Sequence, residues 1–105
     1  MKRIKRRYLA LQIESKSSLQ HMSLINAIWG SINKLYGEYG ASQTNLSLIN
    51  YDSENKQAII RTNLSSLNIV RSSLAAINSI AESSVSLHVL SISGTIKALK
   101  KSIKK

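Results

Sequence analysis

Leu46-Ser47-Leu48-Ile49-Asn50-Tyr51-Asp52-Ser53-Glu54-Asn55-Lys56-Gln57-Ala58-Ile59-Ile60-Arg61-Thr62 holds two apolar-rich runs around one polar knot. Leu46, Leu48 and Ile49 up to Tyr51 read as one strand and Gln57 to Thr62 as the next. Asp52-Ser53-Glu54-Asn55 between them is a tight hairpin loop, because Asp, Ser and Asn side chains hydrogen-bond nearby backbone and favour turns.

The same pattern extends outward on both sides of this hairpin. Upstream, Leu19, Met22, Ile25, Ile28, Trp29, Ile32, Leu35 and Tyr36 recur at steps of three and four, which predicts an amphipathic helix. Gly37 is the expected helix stop and Gly37-Glu38-Tyr39-Gly40 a turn. Before that helix, Tyr8 to Glu14 alternates as a half-buried strand, with Leu9, Leu11 and Ile13 on one side. Downstream, Leu67, Val70, Leu74, Ile77 and Ala81 predict a second helix, and Val85 to Ile92 a strand apolar on both faces. Ser93-Gly94-Thr95 breaks that strand. Ile96, Leu99 and Ile103 then form a narrow stripe on a short last helix with Lys97, Lys100, Lys101 and Lys104 around it. The order β-α-β-β-α-β predicts an α+β split βαβ fold, ferredoxin-like and RRM-like. Both helices lie on one face of a four-stranded antiparallel sheet, with the first and third strands central and a short basic C-terminal helix. The chain reads as a single domain over 1–105, with a basic arm over 1–7, the body over 8–92 and the basic helix over 93–105.

Net charge sharpens this picture. Fifteen Lys and Arg against five Asp and Glu give +10 over 105 residues. Lys2, Arg3, Lys5, Arg6 and Arg7 open the chain, and Lys97, Lys100, Lys101, Lys104 and Lys105 close it. The five remaining cations and the five carboxylates cancel in between. A neutral body with two cationic ends is the footprint of a polyanion partner. In a split βαβ fold the last strand runs antiparallel beside the first, so the two basic segments are expected to converge at one end of the sheet. The start of the last helix, Ser93, Gly94 and Thr95, offers unpaired backbone N–H groups and the positive dipole end, a seat for phosphate.

The inventory for catalysis is thin. There is no Cys, which excludes disulfides, thiolate nucleophiles and Cys-ligated metals. His21 and His88 are far apart, the carboxylates are scattered except for Asp52 and Glu54 in the hairpin loop, and no nucleophile elbow or Gly-rich phosphate loop is present. No signal-peptide core or membrane span is visible, which gives the expectation of a cytoplasmic protein without a membrane partner. Base stacking of the kind seen on RNA-recognition sheets is not expected, because the third strand carries no aromatic residue. The open sheet face instead carries apolar groups. Tyr8, Ala10, Ile59 and Leu90 are the candidate protein-partner residues, unless the last helix covers them. Arg61 and Arg71 either pair with a carboxylate such as Glu38 or Glu82 or contact RNA.

Several stretches carry a resemblance across nearly the whole chain. They are Arg6-Arg7-Tyr8-Leu9, Leu35-Tyr36-Gly37-Glu38-Tyr39-Gly40-Ala41, Ile59-Ile60-Arg61-Thr62, Val70-Arg71-Ser72-Ser73-Leu74, and Val89-Leu90-Ser91-Ile92-Ser93-Gly94-Thr95-Ile96-Lys97-Ala98-Leu99-Lys100-Lys101. In this order they resemble ribonuclease P protein component 2, the small archaeal and eukaryotic subunit of the ribonucleoprotein that matures tRNA 5′ ends; the lack of Cys and the short tail resemble archaeal members. Ser91 stands where many relatives carry Gly. The resemblance implies a non-catalytic subunit that binds ribonuclease P RNA, pairs with the TIM-barrel-like component 3, and self-associates within a heterotetramer. It also implies precursor tRNA as the substrate of the complex and Mg²⁺ used by the RNA, with no cofactor on this chain. The alternatives are a generic structured-RNA-binding module and, from another class, an autonomous nuclease.

Overall fold

The computed structural model describes residues 5–16, 19–80 and 82–103. Its elements run β1 (Arg6–Ser15), α1 (His21–Ser42), β2 (Ser47–Asp52), β3 (Gln57–Asn63), a 3₁₀ turn (Leu64–Ser66), α2 (Leu67–Ala76), β4 (Ser79–Ile80), β5 (Ser83–Ser93) and α3 (Ile96–Ile103). The antiparallel sheet has the order β2-β3-β1-β5-β4. The central pairing is as expected, but there are five strands instead of four. The helix predicted to continue past Ile77 ends at Ala76, and Ile77 turns extended. Ser79 and Ile80 then pair with Ser84 and Ser83 as a short edge hairpin. Ile77 continues the three–four spacing of Leu67, Val70 and Leu74, so spacing alone does not reveal the break. Ala81, expected on that helix, lies outside the described residues.

The helix α1 also departs from expectation. It starts at His21, breaks at Gly37, and resumes as a second short helical segment that ends at Ser42. Gly37 takes φ 76° and ψ 175°, which ends the first helical segment as expected; the chain then becomes helical again where only a turn was expected. The bend is so tight that a Cβ on Gly40 would lie 2.7 Å from the Cβ of Tyr36. Both glycines are therefore structural at the bend.

One face of the sheet buries Leu9, Leu11, Ile13 and Ile60 against Leu24, Ile28 and Ile32 of α1 and Val70 and Leu74 of α2. Two β-bulges set the strand faces. Across β2 and β3, Leu48 pairs with Ile60 and Asn50 with Ile59, leaving Ile49 as the extra residue. Across β1 and β5, Ala10 pairs with Ser91 and Leu11 with Val89, leaving Leu90 extra. An extra residue shifts the two-residue pleat by one position. Leu48 and Tyr51, and likewise Val89 and Ile92, can then both join the core although they are three apart. This is why the Val85–Ile92 stretch reads as apolar on both faces.

The opposite face carries a second, smaller cluster. Leu99 of α3 is fully buried there on Ala10 and Ile59, with Tyr8 and Ile49 beside them. Ala10 (2% exposed) and Ile59 (6%) are thus covered by the chain's own helix and are not free for a partner. Tyr8 is half-buried. Of the four partner candidates only Leu90, the bulge residue, is exposed, at 46%. Among the described residues no helix is long and apolar enough to cross a membrane.

Candidate nucleic-acid interface

The antiparallel register brings the start of β1 to the end of β5. Tyr8 pairs with Ser93, and a Cβ added to Gly94 would sit 3.4 Å from Nη1 of Arg7. Lys5 is anchored here too, since its carbonyl accepts the Leu64 amide at 2.8 Å. Lys5, Arg6, Arg7 and the Ser93-Gly94-Thr95 junction therefore share one end of the sheet. Lys2, Arg3, Lys104 and Lys105 lie outside the described residues.

From this end α3 runs back across the sheet, and its lysines travel with it. Lys97, Lys100 and Lys101 are exposed. Lys100 lines a cavity of about 130 Å³ with Asn50, Asp52 and Gln57, toward the hairpin end. The lysines of this helix thus extend the positive surface as a stripe along the sheet, where convergence on one spot was expected. At the helix start, the Thr95 hydroxyl accepts the Ala98 amide at 3.1 Å. The Ser93 hydroxyl in turn accepts the Thr95 amide at 3.4 Å, so two N–H groups of the expected phosphate seat are taken by the chain's own side chains.

The two arginines whose roles the sequence left open have no ion-pair partner among the described residues; the contact of His88 Nε2 with Glu14 Oε1 at 3.2 Å is an ion pair only when the imidazole is protonated. Arg71 is exposed on α2. Arg61 sits on β3 opposite Tyr8, one diagonal step from Arg6, which pairs with Asn63. Arg6 and Arg61 line a cleft of about 450 Å³ together with Trp29, Asn45, Ser47 and Asn63. No lining residue is acidic. The cleft wall is held by the segment that follows α1. The Thr44 carbonyl accepts the Thr62 hydroxyl at 2.7 Å and the Asn63 amide at 3.1 Å. The Gln43 carbonyl accepts Nδ2 of Asn63 at 2.8 Å and the Ser66 hydroxyl at 3.1 Å. Asn45 takes a left-handed φ of 48°, a conformation Asn tolerates better than most residues, and its Nδ2 donates to Oδ1 of Asn63 at 3.3 Å. The cross-strand register could have placed Arg61 beside Arg6. Trp29 and Asn45 arrive by tertiary packing that no local pattern signals.

At the hairpin end the Asp52 carboxylate is engaged by the chain's own donors. Oδ1 of Asp52 accepts the amides of Glu54 at 3.1 Å and Asn55 at 3.2 Å, and Oδ2 accepts Nδ2 of Asn55 at 2.7 Å. The Asn55 bonds, with the Glu54 amide adding to them, hold the Asp52 carboxyl below the usual carboxylate range. Among the described residues no group of three or more His, Cys, Asp and Glu could hold a metal ion.

Comparisons with known proteins agree with one another. The model of the Rpp14/Pop5 family matches residues 7–104. Ribonuclease P protein component 2 of Methanobrevibacter smithii is 34% identical over 94% of this chain and 88% of its own length. The protein of the same name from Pyrococcus furiosus is 31% identical over 94% of this chain and 82% of its own length. Among solved structures, a chain of the cryo-EM structure of yeast ribonuclease MRP superposes with a TM-score of 0.74 at 19% identity, covering 99% of this chain and 92% of that one. At that identity it speaks for the fold.

Proposed function

The chain belongs to the Rpp14/Pop5 family, and from that premise we propose that it is a protein subunit of ribonuclease P that binds the RNA of the enzyme and activates it for removal of the 5′ leader of precursor tRNA. Catalysis in this reading belongs to the RNA and its Mg²⁺. The partners are that RNA, the TIM-barrel-like component 3 and a second copy of this chain within a heterotetramer, in the cytoplasm. The body is ferredoxin-like, with one added edge hairpin; the order β2-β3-β1-β5 supports this.

The observation that carries the reading is the cationic sheet end, where the Arg7 guanidinium lies against Gly94 and the α3 lysines lead away from it. Each phosphate that Lys or Arg neutralises releases condensed counterions and relieves RNA self-repulsion. RNA held this way needs less Mg²⁺ to keep its folded form. The generic RNA-binding alternative loses ground to the relatives over nearly the full chain. The test is reconstitution of precursor-tRNA cleavage from the RNA, this chain and component 3 at low Mg²⁺. The wild type lowers the Mg²⁺ requirement. Joint replacement of Lys97, Lys100 and Lys101 by Ala raises it and flattens the salt dependence. Unchanged Mg²⁺ and salt profiles would defeat the reading.

A further inference from the structure

We propose that the cleft between Arg6 and Arg61 is a seat for one unstacked nucleotide of single-stranded RNA, with its phosphodiester on the two guanidiniums and its base against Trp29. The inference rests on the RNA-subunit reading and adds to it a second binding mode, separate from the α3 lysines.

Three observations converge on this cleft. First, Arg6 and Arg61 are diagonal neighbours across β1 and β3, a spacing of about 7–8 Å from which long side chains reach a common ligand. Neither is ion-paired among the described residues. Two unneutralised guanidiniums in an acid-free cleft call for an anion, and the planar fork of Arg matches phosphate. Second, the cleft is concave, at about 450 Å³, within the range of small-ligand sites. An RNA duplex is too broad to enter, whereas a splayed nucleotide is not. Third, the remaining lining suits a base. Trp29 is half-buried and offers an aromatic surface for stacking. The amides of Asn45 and Asn63 are fixed by their mutual hydrogen bond at 3.3 Å and by the left-handed turn at Asn45. Asn63 is engaged at both ends of its amide, and it is Asn45, held by it, whose Oδ1 faces a polar base or ribose edge.

The experiment follows from the composition, because Trp29 is the single tryptophan. Its fluorescence is titrated in the full chain with a six-nucleotide single-stranded RNA of mixed sequence. The expected result is saturable quenching. Arg61→Ala weakens that binding at least 10-fold and makes the log–log salt slope shallower by about 0.7 for the lost single-strand phosphate. Arg61→Lys keeps the charge without the fork and falls between the two. Lys34→Ala, an exposed cation on α1 that does not line the cleft, keeps the quenching within about 3-fold. Binding without a Trp29 response, no binding at all, or an Arg61→Ala chain that is folded by circular dichroism and binds like wild type would each overturn the proposal. If Arg61→Ala fails to fold, Arg61→Lys with unchanged affinity does the same. None of these outcomes bears on cleavage by the reconstituted enzyme at low Mg²⁺, so the two readings fail separately.

Discussion

The two ends of the sheet use similar residues to opposite purposes. At the hairpin end, polar groups find partners within the chain. Asp52 is saturated by Glu54 and Asn55. Gln12 donates to the carbonyls of Asn55 and Lys56 and accepts from Gln57. The ammonium of Lys56 donates to the Ser15 carbonyl. At the other end, Arg6 and Arg61 meet no carboxylate among the described residues. A charge answered inside the fold adds to stability, while one left unanswered is available to a partner. The difference between the ends thus separates groups that hold the protein together from groups that face outward.

The largest expected effect comes from emptying the outward-facing end. Replacing Lys5, Arg6 and Arg7 together by Ala should weaken binding to ribonuclease P RNA on the order of 100-fold at about 0.15 M salt and make the log–log salt slope shallower by about 2–3 units. Thermal melting should move little, because these side chains support little else. A large drop in melting temperature with unchanged affinity would reverse the comparison.

Next comes the helix that links the ends. Leu99 is fully buried, and Leu99→Ala should cost about 2 kcal/mol, at the low end for buried leucines because its cluster is small. Denaturant unfolding measures this, and amide exchange should show the loss concentrated in α3. Smaller still is Thr62→Val. It removes a buried hydroxyl whose acceptor, the Thr44 carbonyl, keeps the Asn63 amide. The expected cost is about 1 kcal/mol by chemical denaturation. The smallest effect is at Asp52. Its carboxyl titrates lower in the folded chain than in the unfolded one. Its contribution is therefore complete above the ordinary carboxylate pKa of about 3.9 and fades as pH falls through the lowered folded value. Amide shifts of Glu54 and Asn55 across an acid titration follow it, and Asp52→Asn should flatten that stability change.

How much could be read from the chain depends on whether the signal is local. Alternation in β1 and β3 and the polar loop between β2 and β3 are local, and they set the central sheet order. The Gly37-Glu38-Tyr39-Gly40 stretch looks like a turn because its composition favours one. Gly37 does break the helix; what composition does not show is the second helical segment to Ser42, whose far end Gln43 and Thr44 tie to β3 through Thr62 and Asn63. Spacing places the end of α2 too late, because Ile77 and Ala81 continue the three–four spacing of Leu67, Val70 and Leu74, and no Gly or Pro marks the break. The terminal charge segregation marked the cationic end, but the path of α3 across the sheet follows from burial of a single residue, Leu99. The cleft of Arg61 needs four segments at once and is legible only in part, through the pairing of β1 with β3.

The bend at Gly37 has a consequence for shape. An unbroken rod would carry the five residues from Glu38 to Ser42 about 7.5 Å further along its axis, and Ser42 and Asn45 would have no reason to stand across from Arg61. The elbow folds the helix end back into a bay wall. A methyl group at Gly37, which strains the left-handed φ, or at Gly40, which collides with Tyr36, would reshape that bay from a distance without altering any residue that lines it.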